Sequence, residues 1–93
     1  MSYMERFNLK GRGAIVTGAA GILGRPCCEG LAEFGADVAV VDLDTQVCRD
    51  FAAELSARHG IRAVGIGCDI TDAAAVSGMV TEAASALGDI QIL

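Results

Sequence analysis

Three glycines at three-residue intervals, Gly18, Gly21 and Gly24, follow the uncharged run Ala14-Ile15-Val16-Thr17, and an acidic residue, Asp42, stands 18 residues beyond the last of them. Residues of these types at this spacing can hold a dinucleotide. The run before Gly18 has the β-branched, charge-free character of a parallel strand buried on both faces. After Gly24 the apolar residues change period: Leu23, Cys27, Leu31 and Phe34 recur at helical spacing, so the turn joins the carboxyl end of a strand to the amino end of a helix. The first turn of a helix leaves backbone N–H groups without partners and carries roughly half a positive charge, which suits a phosphate. Gly18 permits the tight turn, Gly21 leaves room for a pyrophosphate, and Gly24 lets the helix pack on the strand. Asp42 closes a second apolar strand, Asp37 to Val41, where a carboxylate accepts hydrogen bonds from adenosine ribose hydroxyls and repels a 2′-phosphate. Leu43 follows, and no arginine or lysine comes before Arg49, so the pattern favours NAD over NADP.

By itself the glycine spacing is weak, because 12 of 93 residues are glycine. Asp42 at the expected distance is what raises it; the plain alternative is a solvated aspartate at a strand end. Other chemistry is disfavoured. No Gly-Lys-Ser/Thr follows the turn, so a magnesium-bound triphosphate has no lysine to meet it. Cys27, Cys28, Cys48 and Cys68 show no metal-ligand spacing and are expected to be small buried side chains. The single histidine, His59, precedes Gly60 at the expected end of a helix, a place for a cation rather than for catalysis. No metal site is expected. A net charge of −5 with no basic patch argues against nucleic acid or an anionic membrane surface as a partner. No run reaches membrane-spanning length, and Met1 to Lys10 lacks the apolar core of a secretory signal, so a cytoplasmic location is expected.

The elements that must position these residues follow in alternation. A polar lead-in over residues 1–12 precedes a first strand, Ala14 to Thr17, and a first helix from about Ile22 to Phe34, with Pro26 near its start, where a missing N–H costs least. The second strand is Asp37 to Val41. Asp44 or Thr45 caps a second helix striped by Val47, Phe51 and Leu55 and closed by His59-Gly60. A third strand spans Arg62 to Ile66. Thr71 or Asp72 caps a third helix lined by Val76, Val80, Ala83 and Leu87, and Asp89 to Leu93 opens a fourth strand. Such a βαβαβαβ series predicts an α/β fold, a partial Rossmann arrangement with a parallel sheet in order 3-2-1-4 and three helices, all in one domain over residues 1–93. Two helices on one face and one on the other leave an apolar patch of sheet bare, and that patch favours self-association.

The residues resemble the short-chain dehydrogenase/reductase family over essentially the whole chain. The lead-in Phe7-Asn8-Leu9-Lys10-Gly11-Arg12 before Ala14-Ile15-Val16-Thr17-Gly18 is similar to that family's opening, and Gly35-Ala36-Asp37-Val38 before Asp42 is similar to its second strand. Cys68-Asp69-Ile70-Thr71-Asp72 resembles the segment whose aspartate contacts the adenine ring, and Gly88-Asp89-Ile90-Gln91-Ile92-Leu93 resembles the entry to strand four. The resemblance implies an NAD site built from Gly18, Gly21, Ile22, Leu23, Gly24, Asp42, Leu43, Asp69 and Ile70. It also implies a parent enzyme, a homo-oligomer, that transfers hydride between a small-molecule alcohol or ketone and NAD. The family's serine and Tyr-x-x-x-Lys pair are missing from the chain: the one tyrosine is Tyr3, the one lysine is Lys10, and Phe7 stands four residues after Tyr3. The 93 residues are therefore expected to be an inactive amino-terminal part with no catalytic residue of its own. Ile22 replaces a glycine of the family's commonest turn, and the Gly18, Gly21, Gly24 spacing matches the extended branch of sugar-nucleotide epimerases and dehydratases. That branch, a stand-alone nucleotide-binding or regulatory module, and a ligand-free α/β scaffold are the alternatives.

Overall fold

A computed structural model describes residues 8–92. Tyr3, Phe7 and Leu93 lie outside the described residues. The elements alternate as expected: β1 (Gly13–Thr17), α1 (Gly24–Glu33), β2 (Asp37–Asp42), α2 (Thr45–His59), β3 (Ala63–Gly67), α3 (Ala73–Leu87) and β4 (Ile90–Ile92). The four strands form one parallel sheet in the order β3-β2-β1-β4. β1 and β2 pair in continuous register from Gly13↔Asp37 to Thr17↔Val41, whereas β1 meets β4 only at Gly13↔Ile90 and Ala14↔Ile92, with a shift between them.

Side chains of β2 alternate between two cores, as a strand covered on both faces requires. Val38 and Val40 join Cys28, Ala32, Cys48, Phe51 and Leu55 under α1 and α2. Ala39 and Val41 join Ile15, Ile66, Met79, Ala83 and Leu87 under α3. The bare sheet face expected from the sequence is therefore not found among the described residues. α3 alone is enough, because it lies across β3 and β2 with its own methionine and leucine filling the second layer.

Local signals act as their chemistry dictates. Of the alternatives for each cap, Asp44 and Asp72 are the ones used. Asp44 accepts from the N–H groups of Gln46 and Val47 at 3.0 and 3.1 Å, and Asp72 accepts from those of Ala74 and Ala75 at 3.0 and 3.2 Å. Gly60 ends α2 in the left-handed region at φ 68°.

The expected stripe is displaced in α1 and holds in part in α2 and α3, where Phe51, Leu55, Ala83 and Leu87 are buried as expected. α1 buries Cys28 and Ala32, with Leu31 packed alongside, while Leu23 and Cys27 face solvent. In α2 the buried set is Cys48, Phe51, Ala52 and Leu55, and Val47 is exposed. In α3 it is Met79, Ala83 and Leu87, and Val80 is exposed. Close packing on the sheet is the reason: a side chain at Gly65 would overlap the α2 backbone at Cys48 and Arg49. At such close approach small residues, Cys48 and Ala52 in α2, are buried beside the larger Phe51 and Leu55. Cys27 thus departs from the expectation of four buried cysteines, the other three being buried.

Candidate functional site

In a parallel sheet the loops leaving β1, β2 and β3 emerge on one edge, the carboxyl edge, and here that edge carries the residues that the sequence assigns to a dinucleotide, from Gly18 to Gly24, Asp42, Leu43, Asp69 and Ile70. The β1–α1 turn is tightly wound. Gly18 has φ +64°, a value that favours glycine, and the Gly21 N–H donates back to the Gly18 carbonyl at 3.1 Å. At Gly24 a Cβ would overlap the Gly18 carbonyl oxygen and lie 2.7 Å from the Ala19 Cα, so only glycine lets α1 start this close to β1. At Gly21 the nearest atom to such a Cβ is the same carbonyl oxygen at 3.3 Å, a lesser constraint.

α1 begins two residues later than expected because Ile22 and Leu23 belong to the turn. Leu23 is its N-cap, in helical backbone geometry and without a side-chain hydrogen bond. The Gly18 and Ala20 carbonyls are engaged elsewhere, and among the described residues no acceptor meets the N–H groups of Ile22, Leu23 or Gly24. These are the donors a helix amino terminus offers to an anion.

Asp42 sits beside this turn. Its Oδ2 accepts from the Ala20 N–H at 3.0 Å and its Oδ1 from the Leu43 N–H at 2.8 Å, while the neighbouring Val41 carbonyl accepts from Ala19 at 3.1 Å. The end of β2 and the glycine turn are thereby one hydrogen-bonded unit. The loop after β3 joins it through the Cys68 N–H, which donates to the Asp42 carbonyl at 2.8 Å.

Asp69, one residue further, accepts from both the Thr71 hydroxyl at 2.7 Å and the Thr71 N–H at 2.9 Å. Those two bonds hold its carboxyl below the usual range, so it is an anion at neutral pH. Four large apolar side chains surround these polar groups in the open: Ile22 at 91%, Leu23 at 81%, Leu43 at 73% and Ile70 at 60% exposure. No other region of the described residues carries so many, and solvated leucines and isoleucines concentrated on one sheet edge suit the flat face of a base.

One residue of this site has no place in the sequence reading. Arg25, directly after Gly24, returns its Nε to the Ala20 carbonyl at 3.1 Å. Its adjacency to the turn is the one signal the sequence carries for it. Cys28, by contrast, is withdrawn from chemistry: burial pushes its thiol up to about 11. Among the described residues no group of three histidine, cysteine or acidic side chains could hold a metal ion. No helix among them is long and apolar enough to cross a membrane.

Comparison with known proteins agrees with the fold. The chain is 38% identical over 87 residues to a D-threitol dehydrogenase from Mycolicibacterium smegmatis, covering 94% of this chain and 33% of that protein. Its structure is similar to a short-chain type dehydrogenase/reductase from Mycobacterium marinum, with TM-score 0.86, 34% identity, and coverage of 97% of this chain and 35% of that one. It is also similar to the NADPH-dependent 3-quinuclidinone reductase of Rhodotorula rubra, with TM-score 0.90, 27% identity, and coverage of 97% and 34%. The chain therefore spans about a third of the length of these relatives. The family description "short chain dehydrogenase" matches residues 12–93, from the residue before β1 through β4, and the chain belongs to that family of oxidoreductases.

Proposed function

We propose that the chain is the NAD-binding part of an oxidoreductase acting on a small-molecule alcohol or ketone. The observation that carries the reading is the coupling of Asp42 to the glycine turn through Ala20. An ionised carboxylate offers about four acceptor positions, and two are taken by N–H groups. The remaining two suit the neighbouring hydroxyls of a ribose. A 2′-phosphate would bring a second anion against the same oxygens, so NAD is preferred over NADP, in contrast to the NADPH-dependent relative. The free N–H groups of Ile22, Leu23 and Gly24 suit a pyrophosphate; Leu43 and Ile70 offer apolar cover to adenine, and Asp69 an acceptor for its amino group. When bound, the cofactor supplies a hydride donor or acceptor. The residues here bind and orient its adenosine half, and proton exchange with substrate belongs to a tyrosine–lysine pair that these 93 residues do not contain.

Calorimetric titration of the protein with NAD and with NADP tests the proposal. NAD is expected to bind more tightly. Asp42→Asn is expected to weaken NAD by roughly ten- to a hundredfold, the worth of hydrogen bonds to a charged group at about 1.5–3 kcal/mol, and to abolish the preference. Equal or tighter binding of NADP by the unaltered protein, or an Asp42→Asn variant that binds NAD unchanged, overturns it.

A further inference from the structure

Arg25 is the second residue of α1, yet its side chain belongs to the turn before the helix. Its Nε donates to the Ala20 carbonyl at 3.1 Å, and the guanidinium carbon lies 4.6 Å from the centroid of the Phe51 ring on α2. Phe51 is buried, so the guanidinium rests on a fixed platform. Ala20 is also the residue whose N–H donates to Asp42 Oδ2. Two successive peptide groups of the turn are thus both held: the Ala19–Ala20 peptide by Asp42 at its N–H, and the Ala20–Gly21 peptide by Arg25 at its carbonyl and by the Gly18 carbonyl at its N–H. Only the two soft torsions of Ala20 separate them. Among the described residues Arg25 makes no ion pair, although Asp50 and Glu54 line the same hollow as Arg25 and Phe51.

We propose that Arg25 is a positioning residue for the Asp42 carboxylate, and that it sets how strictly the site recognises a ribose 2′-hydroxyl. The inference rests on the reading of Asp42 as the ribose acceptor. Clamped at Ala20, the turn holds its N–H on Oδ2 and fixes the plane of the carboxylate, so that the unused lone pairs face the ligand in one orientation. Without Arg25 the Ala20–Gly21 peptide keeps only its bond to Gly18 and rocks about the Ala20 torsions, which shifts the Ala20 N–H off Oδ2 and lets the carboxylate rotate. Affinity for the phosphates, carried by the N–H groups of Ile22, Leu23 and Gly24, is then retained while discrimination at the 2′ position is lost.

Two measurements on the protein test this, one with ligand and one without. Dissociation constants for AMP and 2′-deoxy-AMP are compared in the unaltered protein, Arg25→Met, Arg25→Gln and Asp42→Asn. Arg25→Met is expected to cut the preference for AMP at least fivefold, to the level of Asp42→Asn, and the double variant to lose no more than Asp42→Asn alone. Arg25→Gln, which keeps an N–H donor, is expected to restore most of it. Without ligand, amide hydrogen exchange at Ala20 is expected to be at least tenfold faster in Arg25→Met than in the unaltered protein or in Arg25→Gln, with amides in β2 unchanged as a check on folding. An Ala20 exchange rate unchanged by Arg25→Met, or an equal loss of AMP preference in the methionine and glutamine variants, overturns the proposal. No AMP preference in the unaltered protein, together with the expected Ala20 exchange pattern, would instead fault the ribose reading of Asp42 while leaving the clamp itself standing.

Discussion

Asp42 was legible in the sequence because two constraints coincide on it: it ends a strand of apolar residues, and its distance from the glycines matches the length of a helix and a return. The glycines are a different case, since their spacing says nothing about which of them the backbone cannot do without. The structure separates them. A side chain at Gly24 would run into the Gly18 carbonyl and Ala19, whereas at Gly78, inside α3, nothing lies within 4 Å of an added Cβ. Gly24→Ala is therefore expected to lower stability by about 1–3 kcal/mol, the usual cost of overfilling a packed contact. Gly78→Ala should raise it by roughly 0.5–1 kcal/mol through the entropy of the unfolded chain. Urea denaturation of the two variants checks both, and a neutral Gly24→Ala would mean that α1 can retreat from the turn. Arg25 was illegible for a physical reason: an exposed arginine on a first helical turn reads as a solvated charge, and only the fold reveals that its partners are a carbonyl and a ring.

At the scale of elements, strand positions and helix ends could be read closely, because caps and β-branched runs act through local chemistry. The rotation of α1 could not, and that of α2 and α3 only in part, since Phe51, Leu55, Ala83 and Leu87 are buried as expected while Val47 and Val80 are exposed. In α1 a stripe of Leu23, Cys27 and Leu31 is as periodic as one of Cys28, Leu31 and Ala32, and hydropathy ranks the larger residues first. Close approach to the sheet selects the smaller ones. The outward turn of α1 also directs Glu29 toward the end of α2, where it meets His59 at 2.7 Å and the Arg58 guanidinium. The hydrogen bond with His59 first, and the Arg58 charge after it, hold the Glu29 carboxyl below its ordinary value of 4.5. A carboxyl whose pKa is depressed by folding contributes stability that is complete above its unfolded pKa and is lost as pH falls through the folded one. The melting temperature of the unaltered protein is thus expected to exceed that of Glu29→Gln near neutrality, the difference shrinking below about pH 4.5. A gap that is constant with pH would show that the two helices do not depend on this contact.

For the molecule as a whole, strand order followed from the alternation of elements and the handedness of crossovers, and it stands as expected. Coverage of the sheet did not follow, because counting helices per face ignores how much one helix can bury. The sheet holds a further consequence in time. β1, β2 and β3 pair with partners one helix away along the chain, but β4 must come from its far end to meet β1 at two positions. Closing a long loop for so few contacts is a poor early step in folding. Ile90→Ala is accordingly expected to speed unfolding and leave the folding rate nearly unchanged in stopped-flow chevrons, whereas a matching loss in the folding rate would put β4 in the nucleus. On a ribosome the expected order has a useful form. The turn, Asp42 and the loop after β3 are all made from segments that emerge before β4, so the edge proposed to hold a nucleotide can be finished before β4 joins the sheet.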